Sequence, residues 1–341
     1  MKFLSFGELL LRLAAPGYTR LLQRDFLEAT FCGGEANVAV SLANFDINAA
    51  FFTVLPDNDI GKAACRSLQY FGVDTSRIAY ADGRMGLYYL EKGASQRTSK
   101  VIYDRKYSAL SIADPDMFDW NKILDGVDWF HWTGINPALS SDMSTISMDA
   151  LKVAKAKGIT VSCDLNYRGN LWDSETARSV MTGLMPYVDV CLANEEDAEK
   201  VLGIHTEANN IAAGVLNYEG YADTARKICD TYGCRYTSFT LRESFSASRN
   251  GWSGMLYNAA NGKAYFSKKY DIQIVDRVGG GDSFTAALLY GLMQKKSDQE
   301  IIDFAAAASC LKHTIEGDFN RVTVSEVQHL LESGGNGRIA R

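Results

Sequence analysis

IVDRVGGGDSFTAALLYGL, residues 274–292, sets three glycines between an apolar strand end and a helix. Ile274 and Val275 read as the close of a strand. Gly279, Gly280 and Gly281 form a loop free to take positive φ. Asp282 opens a helix whose Phe284, Ala287, Leu288 and Leu292 recur at helical spacing, with Gly291 on the same side. Such a loop exposes several backbone N–H groups at the positive end of a helix dipole, which makes an anion site. A phosphoryl group in transfer spreads negative charge over its oxygens and needs donors of this kind. A carboxylate at the mouth, Asp282, can accept the proton of an attacking hydroxyl. Taken alone, the segment is also readable as a flexible loop followed by an Asp N-cap. It matches neither the Walker A pattern nor the dinucleotide fingerprint.

Upstream, strands and helices alternate. VDWFHWTG (127–134), ITVSCDLN (159–166), VDVCLAN (188–194) and YTSFTL (236–241) are short, nearly continuous apolar runs. Helical patterns lie between them: 147–157 stopped by Gly158, EEDAEKVL stopped by Gly203, and 221–232 stopped by Gly233. Apolar strands alternating with helices predict an α/β fold with a mostly parallel sheet covered on both faces. GLYYLEKG and SKVIYDRKYSALS, within 84–112, instead alternate apolar and polar residues and predict an antiparallel hairpin. With further strands from 8–30, they read as a small sheet standing over a cleft. Residues 331–341, rich in glycine, read as a loose tail, leaving 1–330 as one domain with the lid strands inserted.

Composition narrows the function. With 47% hydrophobic and 22% charged residues the 341-residue chain is globular, and its net charge of -6 gives no attraction for nucleic acid or anionic membrane. Glu8 and Arg12 interrupt the apolar N-terminus, so it reads as a buried strand and not a signal peptide, and no run is long enough to span a membrane. Seven scattered cysteines, with no C-x-x-C pair, suit a reducing cytoplasm. Four dispersed histidines offer no metal site.

CGGEANVAVSLANF (32–45) is a second glycine-to-helix junction. Gly33 and Gly34 allow close approach of a ligand to the backbone, and Asn37 can meet a hydroxyl from the first helical turn. The two glycine motifs, in this order and at this separation, resemble those of the ribokinase/phosphofructokinase-B family of carbohydrate kinases, over roughly residues 1 to 330. The resemblance implies a ribokinase-like three-layer α/β/α fold with a small β-sheet lid, and transfer of the γ-phosphoryl group of ATP. Asp282 would be the catalytic base and Gly279, Gly280 and Gly281 the anion hole. Residues 276–282 depart from the family pattern: Arg277 stands for a threonine and Gly280 for an alanine. Arg277 leaves the nucleotide contacts there, and the binding of a monovalent cation, open.

GLYYLEKGASQR (86–97), VIYDRKYSAL (101–110) and DLNYRGNLW (164–172) are most similar to the 2-keto-3-deoxygluconate kinases of that family. Such a substrate carries a carboxylate, which Arg recognises with a planar, permanently charged fork. The resemblance implies that Tyr89, Tyr103, Arg105 and Arg168 surround the acid, with Gly33, Gly34 and Asn37 below and Asp318 beside it. Tyr88 and Tyr89 face opposite ways in a strand, so only one can reach the cleft, and the resemblance favours Tyr89. Asn166, Asn194, Thr240 and Arg242 would border the nucleotide. Asp197, in ANEED, would organise Mg2+ indirectly. A neutral ketose acceptor, such as fructose, and a catalytically silent sugar-acid-binding protein on the same fold remain alternatives. A lid with one apolar face predicts a homodimer or larger homo-oligomer.

Overall fold

The fold is described from a computed structural model over residues 1–205, 209–210 and 215–334. Thirteen strands make the two larger sheets: β1 Lys2–Phe6, β2 Leu10–Ala14, β3 Glu28–Cys32, β4 Asn48–Phe52, β5 Gly86–Glu91, β6 Lys100–Asp104, β7 Trp129–Thr133, β8 Thr160–Asp164, β9 Val190–Ala193, β10 Tyr236–Ser246, β11 Arg249–Asn258, β12 Lys263–Phe266 and β13 Tyr270–Gln273. Four helices bear on the site: α1 Gly34–Asn44, α2 Glu195–Leu202, α3 Gly280–Met293 and α4 Asp298–Lys312.

The nine-stranded sheet runs β12-β11-β10-β9-β8-β7-β1-β4, with β13 also paired to β11. From β10 to β4 every pairing is parallel. The apolar runs are continuous because both faces are covered. Leu4, Phe6, Phe130 and Trp132 point into one core, and Phe3, Phe51 and Trp129 into the other. The antiparallel extension β11–β13 was not expected from the sequence. The glycine motif is also shifted by a few residues. The strand before it ends at Gln273, so Ile274 and Val275 lie beyond it. Asp282 is the third residue of α3, which is buried almost all round instead of along one stripe. A helix at Val324–Ser333 runs into the stretch expected to be loose, and residues 335–341 lie outside the described residues.

The lid is the four-stranded sheet β3-β2-β5-β6. Arg12, Tyr88 and Tyr103 stand in one cross-strand row, and Leu13, Tyr89 and Ile102 in the next. Side chains alternate between faces, so these two rows point opposite ways.

Candidate active site

The three glycines of the loop answer three different needs. Gly279 caps α3 with φ 78°, and a Cβ there would run into the backbone oxygen of Asp318. Gly280 is packed on the His313 ring, where a Cβ would overlap the imidazole. Gly281 has nothing within 4 Å of where a Cβ would sit. Gly279 and Gly281 line a cavity; Gly280 belongs to the packing beneath it. The loop is therefore seated tightly from below and open above, as an anion site requires.

Asp282 stands at the meeting of two cavities and lines both. Its Oδ2 accepts a 2.6 Å hydrogen bond from the Asn37 side chain, which fixes the carboxylate across the two glycine motifs. Burial pushes its pKa up to about 6; the Asn37 bond and the Arg168 and Lys312 charges pull down, and Asp318 adds to the rise. A carboxylate so placed is ionised at neutral pH yet a better base than an exposed one.

The first cavity, about 600 Å3, lies under the lid. It is lined by Gly33, Gly34, Asn37, Tyr103, Arg105, Asn166, Arg168 and Asp318, together with Glu8, Glu35 and Tyr88. Tyr89 is not among them. The row that faces inward carries Tyr88, whose hydroxyl donates to Asp318 Oδ2 at 2.7 Å. Of the adjacent pair it is Tyr88, not Tyr89, that reaches the cavity, beside Tyr103. Its orientation is set by a contact 230 residues away in sequence, which local alternation cannot reveal.

The charges in this cavity are not equally free. Arg105 is buried and bound by Nε to Glu8 Oε2 at 2.7 Å, with a second contact from its terminal nitrogen. Asp318 is held by Arg12 and Tyr88, and Arg12 also reaches Asp276 at 2.6 Å. Arg168 donates to the Tyr167 carbonyl at 3.0 Å and forms no ion pair among the described residues. Arg168 therefore has the most charge to offer an incoming carboxylate. Glu35, in the first turn of α1, accepts from Thr133 at 2.7 Å, and burial raises its pKa to about 7. Gly7 leaves it room, because a Cβ at 7 would overlap that carboxylate.

The second cavity, about 950 Å3 and open to solvent, lies at the carboxyl ends of β8 and β9 and beside the middle of β10. Open parallel sheets bind ligands there. Asn166, Asn194, Thr240 and Arg242 line it, as do Asp164, Asp197, Arg168 and Arg277. Arg242 lies over the Trp252 ring at 5.3 Å. Arg277 is partly buried, burial lowers its pKa, and its Nε has no hydrogen-bond partner among the described residues. Asn194 and Asp197 form a reciprocal capping box at the start of α2, and Asp197 Oδ1 also accepts from the Tyr167 N–H at 2.9 Å. Both oxygens of Asp197 are thus engaged by the backbone. Among the described residues no group of three or more His, Cys, Asp or Glu could cage a metal ion. Asp197, with both oxygens engaged, would meet a divalent ion brought in on phosphates through water, which fits the tendency of Mg2+ to keep several waters.

Two cavities joined at one carboxylate, with an open-ended amide loop beside it, define a phosphotransferase site. The family model of pfkB carbohydrate kinases matches residues 2–219 and 248–320, and the chain belongs to this family. The crystal structure of 2-dehydro-3-deoxygluconokinase from Thermotoga maritima is 51% identical, with a TM-score of 0.93, over 97% of this chain and 99% of that one. The 2-dehydro-3-deoxygalactonokinase of Haloferax volcanii is 31% identical over 98% of both chains. The 2-dehydro-3-deoxygluconokinase of Bacillus subtilis is 24% identical over 94% of this chain and 92% of its own.

Proposed function

We propose that this chain uses ATP to phosphorylate the terminal hydroxyl of 2-keto-3-deoxygluconate, giving 2-keto-3-deoxy-6-phosphogluconate, with residues 1–330 as the catalytic unit. The observation that carries this is Asp282 lining both cavities at once. The sugar acid lies under the lid, its carboxylate met by Arg168 with Arg105 and Tyr103. The triphosphate lies along the second cavity, with Arg242 and Arg277 facing its charge. Asp282 accepts the proton of the hydroxyl as the oxygen–phosphorus bond forms. The bond to the bridging oxygen of ADP breaks, and the Gly279 and Gly281 amides hold the equatorial oxygens. Mg2+ carried on the phosphates supplies charge neutralisation, with Asn194 and Asp197 ordering the loop beside it. The names of the relatives support a sugar-acid acceptor: gluconate-derived in Thermotoga maritima and galactonate-derived in Haloferax volcanii.

An ATP-coupled assay with 2-keto-3-deoxygluconate, its galactonate-derived epimer, gluconate and fructose side by side tests the acceptor. Saturable turnover is expected on a 2-keto-3-deoxy acid. Turnover on fructose alone would move the reading to a ketose kinase, and turnover on none to a silent binding protein.

The reaction needs Asp282 ionised. Its carboxyl titrates at about 6, so kcat/KM should rise through pH 6 and level off above it. A pH–rate profile with no acidic limb between pH 5 and 7 would be incompatible with this base.

The site also suits a dimer. Leu13, Tyr89 and Ile102 form an apolar row on the lid face turned from the cavity, and Ile102 is 53% exposed. A second copy's lid covers such a row. Light scattering should give the mass of two chains or a multiple, and Ile102→Lys should lower it; an unaltered mass in the variant would place any interface elsewhere. Reduced cysteines and an ATP requirement support a cytoplasmic setting. Among the described residues no helix is long and apolar enough to cross a membrane.

A further inference from the structure

Lys312, the last residue of α4, has a fully buried side chain that the chemistry above does not use. A buried ammonium is costly unless its charge is met on the spot. Its Nζ faces two backbone carbonyls, of Asp276 at 3.4 Å and Ile315 at 3.5 Å. Burial pulls its pKa below the usual lysine value; the carboxylates of Asp276 and Asp318 counter that pull, Asp282 does so more weakly, and Arg12 adds to the fall. Two cations thus stand against the two carboxylates of Asp276 and Asp318 in one buried cluster beneath the loop.

The two carbonyls belong to the two segments that seat the glycine loop. Asp276 begins the run that leads to Gly279. Ile315 lies in the turn that leads to Asp318, whose backbone oxygen limits Gly279 to glycine. The same segments are joined by the Val275 N–H on the His313 oxygen at 2.9 Å and the Gly317 N–H on Asp276 Oδ2 at 3.2 Å. Contacts of 3.4–3.5 Å are long for directed hydrogen bonds and are better read as a point charge lying among oxygen dipoles. A small monovalent ion among backbone carbonyls would make the same kind of contact.

We propose that the Lys312 ammonium is a tethered monovalent cation: it locks the 276–281 and 313–318 segments together so that the loop amides aim at the transferring phosphoryl group, and it removes any need for a free one. Lys312 is a positioning residue, and the proposal rests on the kinase reading. It predicts that the wild-type enzyme works equally well, within about twofold, in potassium and in tetramethylammonium salts. Lys312→Met should lower kcat by about 100-fold, the scale of a misaligned anion hole, and leave KM for the sugar acid within a few-fold. Potassium or ammonium at tens of millimolar should then restore kcat at least tenfold, and tetramethylammonium, too large for the space, should not.

Saturable activation of the wild type by potassium overturns the proposal. So does a Lys312→Met enzyme with normal kcat, or one that neither ion restores. If Lys312→Met does not fold, Lys312→Gln carries the same rescue test, and the wild-type comparison decides without either. Absence of wild-type turnover on every sugar acid defeats the kinase reading itself; a turning-over wild type with the wrong ion response defeats only this inference.

Discussion

Asp282→Asn is expected to lower kcat by about 1,000-fold, within the range of roughly 10²–10⁴ that a positioned general base contributes. The replacement is nearly isosteric, and its side-chain oxygen can still accept the Asn37 hydrogen bond, so the junction between the two glycine motifs persists. Calorimetry should therefore find the sugar acid bound within about threefold of the wild-type affinity, a difference of at most about 0.7 kcal/mol. ATP should bind as tightly or more tightly, because one carboxylate fewer faces its phosphates. The split between lost turnover and kept binding is the signature of a group that acts in the transition state. Loss of binding in step with turnover would make Asp282 a structural anchor.

Arg168→Ala carries the second large effect. A charge-assisted contact is worth about 1.5–3 kcal/mol, so KM for the sugar acid should rise by about 10- to 100-fold. Arg168 is the better test because it has no ion pair among the described residues, so its removal strands no paired carboxylate. Arg105→Ala would be ambiguous. It would strand the buried Glu8 carboxylate, and breaking a buried pair costs about 3–5 kcal/mol on its own. Arg168→Lys should recover only part of the affinity, since an ammonium cannot form the bidentate pair. An unchanged KM in Arg168→Ala would mean that the acid group is bound elsewhere or is not needed.

Much of this was legible in the sequence, and the parts that were not share a cause. Continuous apolar strands such as those that hold Cys163 and Cys191 announced a sheet buried on both faces, and the two strands pair in parallel within it. Glycines before Asp282 and before Asn37 marked two helix starts, and their side chains meet at 2.6 Å. The antiparallel strand β11, on which β12 and β13 pair, is not legible because RNGWSGMLYN mixes glycine and serine with its apolar residues. Tyr88 and Tyr89 could not be separated locally, since alternation says only that they differ; Asp318 makes the choice from the far end of the chain. Glu8 looked like a break in an apolar run, yet it is the buried partner of Arg105. Lys312 ends an alanine-rich helix, a position where the dipole favours a cation whether or not it is buried. Its burial comes from the loop folded over it, which no local pattern encodes.

The glycine loop illustrates the same limit at finer scale. The run of three suggested three equivalent amide donors. The geometry gives one residue to the turn, one to packing on His313 and one to open access. Sequence identifies that glycine is wanted at each position; the neighbours that want it come from residues 313 and 318.

A crystal structure with 2-keto-3-deoxygluconate and a non-hydrolysable ATP analogue would test the central claim most directly. The terminal hydroxyl of the acid should lie within hydrogen-bond distance of the Asp282 carboxylate, with the γ-phosphate against the Gly279 and Gly281 amides. A ternary complex with the acceptor hydroxyl or the γ-phosphate bound away from Asp282 would contradict the account.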